Sequence, residues 1–136
     1  MITNTNITLY NAYLDDDDNT KYARTIIKCV NWQDEIKSTV TDNGLQSANV
    51  IAVYVPVTAM CEKEYIEPKA YAKLSDSERD KYFTLKAEDK IIKGEYFNEV
   101  KGVKDFNKID NIATIQGVID NRFGSLNMQH WEVECK

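Results

Sequence analysis

Residues Tyr22 to Trp32 read Tyr-Ala-Arg-Thr-Ile-Ile-Lys-Cys-Val-Asn-Trp. β-Branched and aromatic side chains dominate this run, and no glycine or proline interrupts it. Such residues suit a pleated, half-buried surface better than a helix. The two-residue period of a strand places Tyr22, Arg24, Ile26, Lys28, Val30 and Trp32 on one face. Ala23, Thr25, Ile27, Cys29 and Asn31 fall on the other. Neither face is cleanly apolar. The pattern fits a long strand whose two ends meet different environments, as in a small bent barrel. Cys29 is expected to be a small buried hydrophobe.

The rest of the chain follows the same logic. Ile7 to Tyr10 is a short β run followed by Asn11. Asp15 to Asn19 is a charge run between strands, expected as a solvated hairpin loop. Ile36 to Val40 continues the antiparallel pattern, and Asp42-Asn-Gly44 is a turn signal. Val50 to Val55 is almost continuously apolar, is ended by Pro56, and is expected to be the most buried strand. Residues 57–83 break the β pattern. Pro68 can open a short helix through Ala70, Tyr71 and Leu74. Ser75 and Glu78 have capping-box spacing, with Arg79 to Phe83 completing the helical turns. Lys90 to Lys93 is a strand closed by Gly94. Ala113 to Ile119 is another, with a bulge or close approach expected at Gly117, and Asp120 to Leu126 is a turn carrying Gly124. In the terminal strand, Met128 to Cys135, the core face is Gln129, Trp131, Val133 and Cys135. The sum is one mainly β domain over residues 1–136. It is a small β-barrel or sandwich of six to seven mostly antiparallel strands with one short helical excursion.

Charge and cysteine usage narrow the function classes. The net charge is −5, with Lys and Arg scattered singly among acids, which argues against a sequence-specific nucleic-acid partner. The apolar runs are about half the length that crosses a bilayer, so no membrane span is expected. The Met1-Ile-Thr-Asn-Thr-Asn start has neither the basic flank nor the apolar stretch of a secretory signal. Cys29, Cys61 and Cys135 form no metal or redox spacing and are expected as reduced thiols.

Chemistry is sparse. His130 is the one histidine, beside Trp131 in a strand, and is assigned to packing instead of catalysis. No nucleophile elbow, phosphate loop or dinucleotide fingerprint is present in the sequence. The acids include no pair singled out by spacing for glycoside cleavage. Asp15 to Asp18 lack the alternating acids and mid-loop glycine of a calcium loop. No catalytic residue, metal ligand or cofactor is therefore assigned. A ligand- or calcium-binding β module is the competing reading, and a small hydrolase using His130 stands behind it. Tyr65, Pro68, Tyr71, Leu74 and Tyr82 give the excursion an aromatic content outside the β pattern. Tyrosine is enriched at interfaces, so these five are the candidate subunit-contact residues.

Several segments in order resemble an uncharacterised family of small virion structural proteins from tailed phages and prophages of Gram-positive bacteria. They are Ile7 to Asn11, Arg24 to Lys28 with Trp32, Val53 to Pro56, Tyr82 to Leu85, Asp89 to Gly94, and Phe123 to Ser125 with Met128 to Val133. The last is the most specific. More weakly, the chain is similar to the small β-barrel connectors that join or close the head–tail passage. The resemblance implies a non-enzymatic head–tail connector or neck component that assembles into a ring. A minor tail or tail-completion protein is the nearest alternative. It also implies portal, connector or tail proteins as partners, and a location in the host cytoplasm during assembly and then in the virion. The segments 58–82 and 98–111 are long for a minimal connector.

Overall fold

The computed structural model describes residues 3–41, 44–98 and 100–136, with 35–41 and 44–49 described as backbone only. The expected turn residues Asp42 and Asn43 lie outside them. The strands are β1 (Thr5–Leu14), β2 (Thr20–Thr41), β3 (Gly44–Pro56), β4 (Glu64–Tyr65), β5 (Tyr82–Phe83), β6 (Lys90–Lys93), β7 (Ile112–Asn121) and β8 (His130–Cys135). Six of them close a barrel in the order β1-β2-β3-β8-β7-β6. Every neighbouring pair in it is antiparallel. Closure leaves no free edge among the six where they pair in the barrel, which removes the usual liability of a small sheet.

The barrel is filled by Ile7, Leu9, Ile27, Val30, Trp32, Val53, Val55, Ile91, Ile115, Trp131 and Val133. Along β8 the buried residues are Trp131, Val133 and Cys135, as the two-residue period requires. The expectation that Val50 to Val55 would be the most buried strand is corrected. In β1 every residue from Ile7 to Asn11 is at most 2 % exposed, whereas Val50, Ile51 and Tyr54 are half-buried. The outer face of β1 is covered by the segment between β6 and β7, which carries helix α3 (Val103–Phe106). Phe106 packs edge-on against Tyr10 at 5.3 Å and Tyr22 at 4.9 Å. Val100 completes this second cluster. The chain therefore has a second helical insertion beside the one expected.

The mixed faces of β2 have a local cause. Thr25 and Ile27 are buried, but further along Val30 and Trp32 are. The inward phase changes because the β1–β2 register shifts between Thr5 and Ile7, inserting one extra residue in β2. Cys29 takes φ 64° there and is exposed, which corrects its expected burial. The Asn6 side chain accepts from the Cys29 N–H at 3.1 Å. The Lys28 N–H donates to the Met60 carbonyl at 2.9 Å. A period count cannot see such a phase change, because its stabilising contacts come from residues far away in sequence.

The three free thiols are consequently graded in exposure. Cys61 is half-buried and Cys135 buried. Burial raises both thiols, Cys135 to about 12. Thiolate is the reactive form, so native protein should show one rapidly titrating thiol with Ellman's reagent. Cys29→Ser should remove that phase, and urea should expose the remainder. Two or more fast thiols in the native state would contradict this burial order.

The excursion holds α1 (Pro68–Ala72), with Pro68 in its first turn, and α2 (Asp76–Arg79), with Ser75 as N-cap. The capping box is not closed. The Ser75 hydroxyl donates to the Glu78 carboxylate at 2.9 Å instead of accepting from the first-turn N–H groups. Residues after Arg79 do not continue a helix: Tyr82 and Phe83 form β5, parallel to β4. Gly94 (φ +95°) and Gly124 (φ +78°) end β6 and turn the β7–β8 connection, both in the left-handed region that glycine tolerates. The β7–β8 register shifts between Ile115 and Gly117, where the bulge was expected.

Candidate functional site

Two surfaces meet at Arg122, just past the end of β7. Its guanidinium donates to both Asp120 carboxylate oxygens and, at 3.1 Å, to Glu67, the residue that precedes α1 in the excursion. It also lies over the rings of Tyr65 and Trp131, at 5.3 and 5.2 Å. The Asp120 and Glu67 carboxylates hold the guanidinium above its ordinary pKa, and Arg122 in turn holds Asp120 below the usual carboxylate range. Tyr65 lies against Trp131 at 4.5 Å and edge-on to Phe83 at 5.8 Å. Burial, seconded by the Glu67 charge, pushes the Tyr65 hydroxyl up to about 12. The excursion is thus clamped to the β7–β8 hairpin by stacked rings and one bridging cation.

Beyond the clamp the hairpin turns outward. Phe123, Leu126 and Met128 are 74 %, 61 % and 64 % exposed. The backbone under them is fixed: the Gln129 side chain donates to the Gly124 carbonyl at 3.0 Å, and the Met128 N–H donates to the Ser125 carbonyl at 2.9 Å. His130 anchors the base. Its Nδ1 lies 2.9 Å from the Met128 carbonyl and its Nε2 3.3 Å from the Asn121 amide nitrogen. These two contacts fit an imidazole with its proton on Nδ1. The ring meets Tyr54 edge-on at 5.8 Å.

The five contact candidates separate. Tyr65 and Pro68 are half-buried beside the Arg122 clamp, and Tyr82 is half-buried in the small parallel sheet. Leu74 is half-buried, and its carbonyl accepts from Arg79 at 2.8 Å. Tyr71 is buried, so its side chain supports the excursion from beneath. Arg79 spans from Tyr71 to Tyr13, with its guanidinium 4.2 Å above the Tyr13 ring. Leu14, Met60, Phe97 and Val103 are exposed singly elsewhere, whereas Phe123, Leu126 and Met128 fall together on the β7–β8 connection; Met128, expected to open the terminal strand, lies in the short 3-10 turn before it. The available signal was three large apolar side chains spaced through a Gly-Ser-Asn turn, where no strand period accounts for them.

Two other features have chemical content. The Asp15 carboxylate accepts from the Asp17 and Asn19 N–H groups, both at 2.9 Å, and so closes the β1–β2 turn on itself. An open groove of about 760 Å³ runs between β2 and residues 59–63, flanked by Arg24, Lys28 and Lys63. These cations already have protein acceptors. Lys63 donates to the Arg24 carbonyl at 2.7 Å, Arg24 donates to the Phe97 carbonyl, and Lys28 lies 4.0 Å from Glu95. Among the described residues no three His, Cys, Asp or Glu side chains gather to hold a metal ion. No helix there is long and apolar enough to cross a membrane.

Comparison with known proteins finds a family model described as a family of unknown function, matching residues 2–136. No curated protein and no solved structure matches the chain.

Proposed function

The chain belongs to that family, DUF6751, whose description assigns no activity, and we propose that it is a non-enzymatic structural protein of a phage or prophage virion. In this reading it is a head–tail connector or neck component that assembles with copies of itself into a ring. One observation carries the reading: the exposed apolar tip formed by Phe123, Leu126 and Met128 on a rigidly held hairpin. Each such side chain is worth about 1.5–3 kcal/mol when fully buried against a neighbour. A site built for small-molecule chemistry would be concave and would face its polar groups inward. This tip is convex and apolar, which suits protein contact. Phe123 and Met128 belong to the segments on which the resemblance to phage virion proteins rests most, and Tyr65 lies against Trp131 at the base of the hairpin.

The test is co-sedimentation with assembled particles, read by mass spectrometry with copy number. A fixed ring-like stoichiometry, on the order of six or twelve per particle, is expected. Abundance in the soluble fraction alone would refute the reading. Phe123→Ser combined with Leu126→Ser should leave stability within about 0.5 kcal/mol, because both side chains are exposed. The same pair should strongly reduce incorporation into particles. Normal incorporation of the double variant would remove the hairpin tip from the interface.

A further inference from the structure

β2 and β3 are longer than the barrel they help to build. β1 pairs with β2 only as far as Val30, and β8 pairs with β3 only from Ile51 to Pro56. The β2–β3 register nevertheless continues without a shift from Glu35↔Val50 to Thr41↔Gly44, which is seven pairs. At ~3.4 Å per residue this two-stranded ribbon reaches ~24 Å past the barrel. Among the described residues no third strand pairs with either of its edges.

Such an edge is a template for another strand, and proteins ordinarily blunt it with lysine, proline, bulges or short length. Of these devices the described ribbon carries Lys37 alone, near its base. From Ser38 to Val50 there is one charged residue, Asp42, and no proline, in a chain that is 29 % charged. A two-stranded ribbon alone is marginally stable in water and gains from a third strand.

We propose that this ribbon is the subunit joint: the free β2 edge of one copy pairs with the free β3 edge of the next. The occupant follows from the strand inventory. The barrel is closed, and the β4–β5 sheet is two residues deep. A long free edge able to match the ribbon is therefore found on the ribbon of a second copy. Cyclic symmetry points all ribbons the same way. Because β2 and β3 run antiparallel, edge-to-edge pairing around the ring makes one continuous antiparallel sheet. The proposal rests on the ring reading above and deepens it, since it names the backbone groups that close the ring.

The experiment replaces residues 36–49 with a two-residue Asn-Gly turn, leaving the barrel strands intact. Light scattering after size exclusion reads the mass, and far-UV circular dichroism with thermal melting checks the barrel. The wild type should run at a multiple of 15.6 kDa, and the shortened chain at the lower mass of one shortened chain, with its barrel transition kept. In the wild-type oligomer, amides of residues 36–49 should exchange more slowly than in diluted monomer. A wild type that stays monomeric, a shortened chain that keeps the oligomer, or a ribbon unprotected in the oligomer overturns the proposal. Should the shortened chain alone fail to fold, the exchange experiment on wild type decides. A ribbon-dependent oligomer absent from particles would sink the virion reading and leave the joint standing. Particles that incorporate the shortened chain would do the reverse.

Discussion

Trp131→Ala is expected to lower unfolding stability by about 3–5 kcal/mol, the range for truncating a buried large aromatic side chain. Trp131 belongs to the barrel core and is 6 % exposed. Its other face carries Tyr65 and the Arg122 guanidinium, so truncation also undermines the clamp that holds the excursion. Domains of this size have about 5–15 kcal/mol in hand, so the loss would be a large fraction of the total. Trp131→Phe should cost much less. The indole N–H is buried without a hydrogen-bond partner, so the change loses ring area and no hydrogen bond. Urea midpoints for the two variants and the wild type would show this order. A Trp131→Ala loss below about 1 kcal/mol would mean that the barrel does not depend on this residue.

The second large effect is at Asp89, a carboxylate buried between β1 and the residues before β6. Its oxygens accept from the Asn11 amide at 2.8 Å and the Ala12 N–H at 3.1 Å, and Lys86 pairs with it from three residues earlier. Asn11 in turn ties the Thr84 backbone to β1 through both of its side-chain atoms. Asp89→Ala strands buried donors, at about 1–3 kcal/mol for each that finds no new acceptor. The expected loss at neutral pH is about 2–3 kcal/mol, because relief from burying a charge offsets part of it.

The pH dependence of that loss has a definite sign. Burial raises the Asp89 pKa above its ordinary 3.8, outweighing the Lys86 and Asn11 interactions that lower it. A carboxyl raised in the folded state binds its proton more tightly there than in the unfolded chain. Its contribution to stability is complete below 3.8 and declines as pH rises through the folded value. The stability difference between wild type and Asp89→Ala should therefore be larger near pH 4 than near pH 8. Asp15 and Asp120 are both lowered and work in the opposite direction, so the difference between the two proteins is the quantity to measure. A difference that shrinks on acidification would contradict this balance at Asp89.

Much of the fold was legible because strand structure is written locally. The two-residue period in Trp131-Glu-Val-Glu-Cys135 assigns the core face of β8 with no knowledge of its neighbours. Pro56 ends β3, Pro68 opens α1, and Gly94 turns the chain after β6, each for a reason contained in one residue's backbone. The candidate site was legible only in part. The aromatic residues of the excursion were found, but Tyr71 faces inward beneath Arg79, and inward or outward cannot be assigned in a segment without a regular period.

A mainly β domain, the positions of most strands and the core face of the last one are written in the residues alone. These follow from local propensity and periodicity, which act within a few residues. Tertiary structure alone decided that the sheet closes, that β2 changes phase at Cys29, and that β1 is covered on both faces. It also decided that the Phe123 hairpin and the β2–β3 ribbon project from the barrel. Each of these depends on contacts between distant segments, such as Asn6 with Cys29 or Phe106 with Tyr10. Whether a strand edge is paired or free is a property of its neighbour and is not encoded in the strand's own residues.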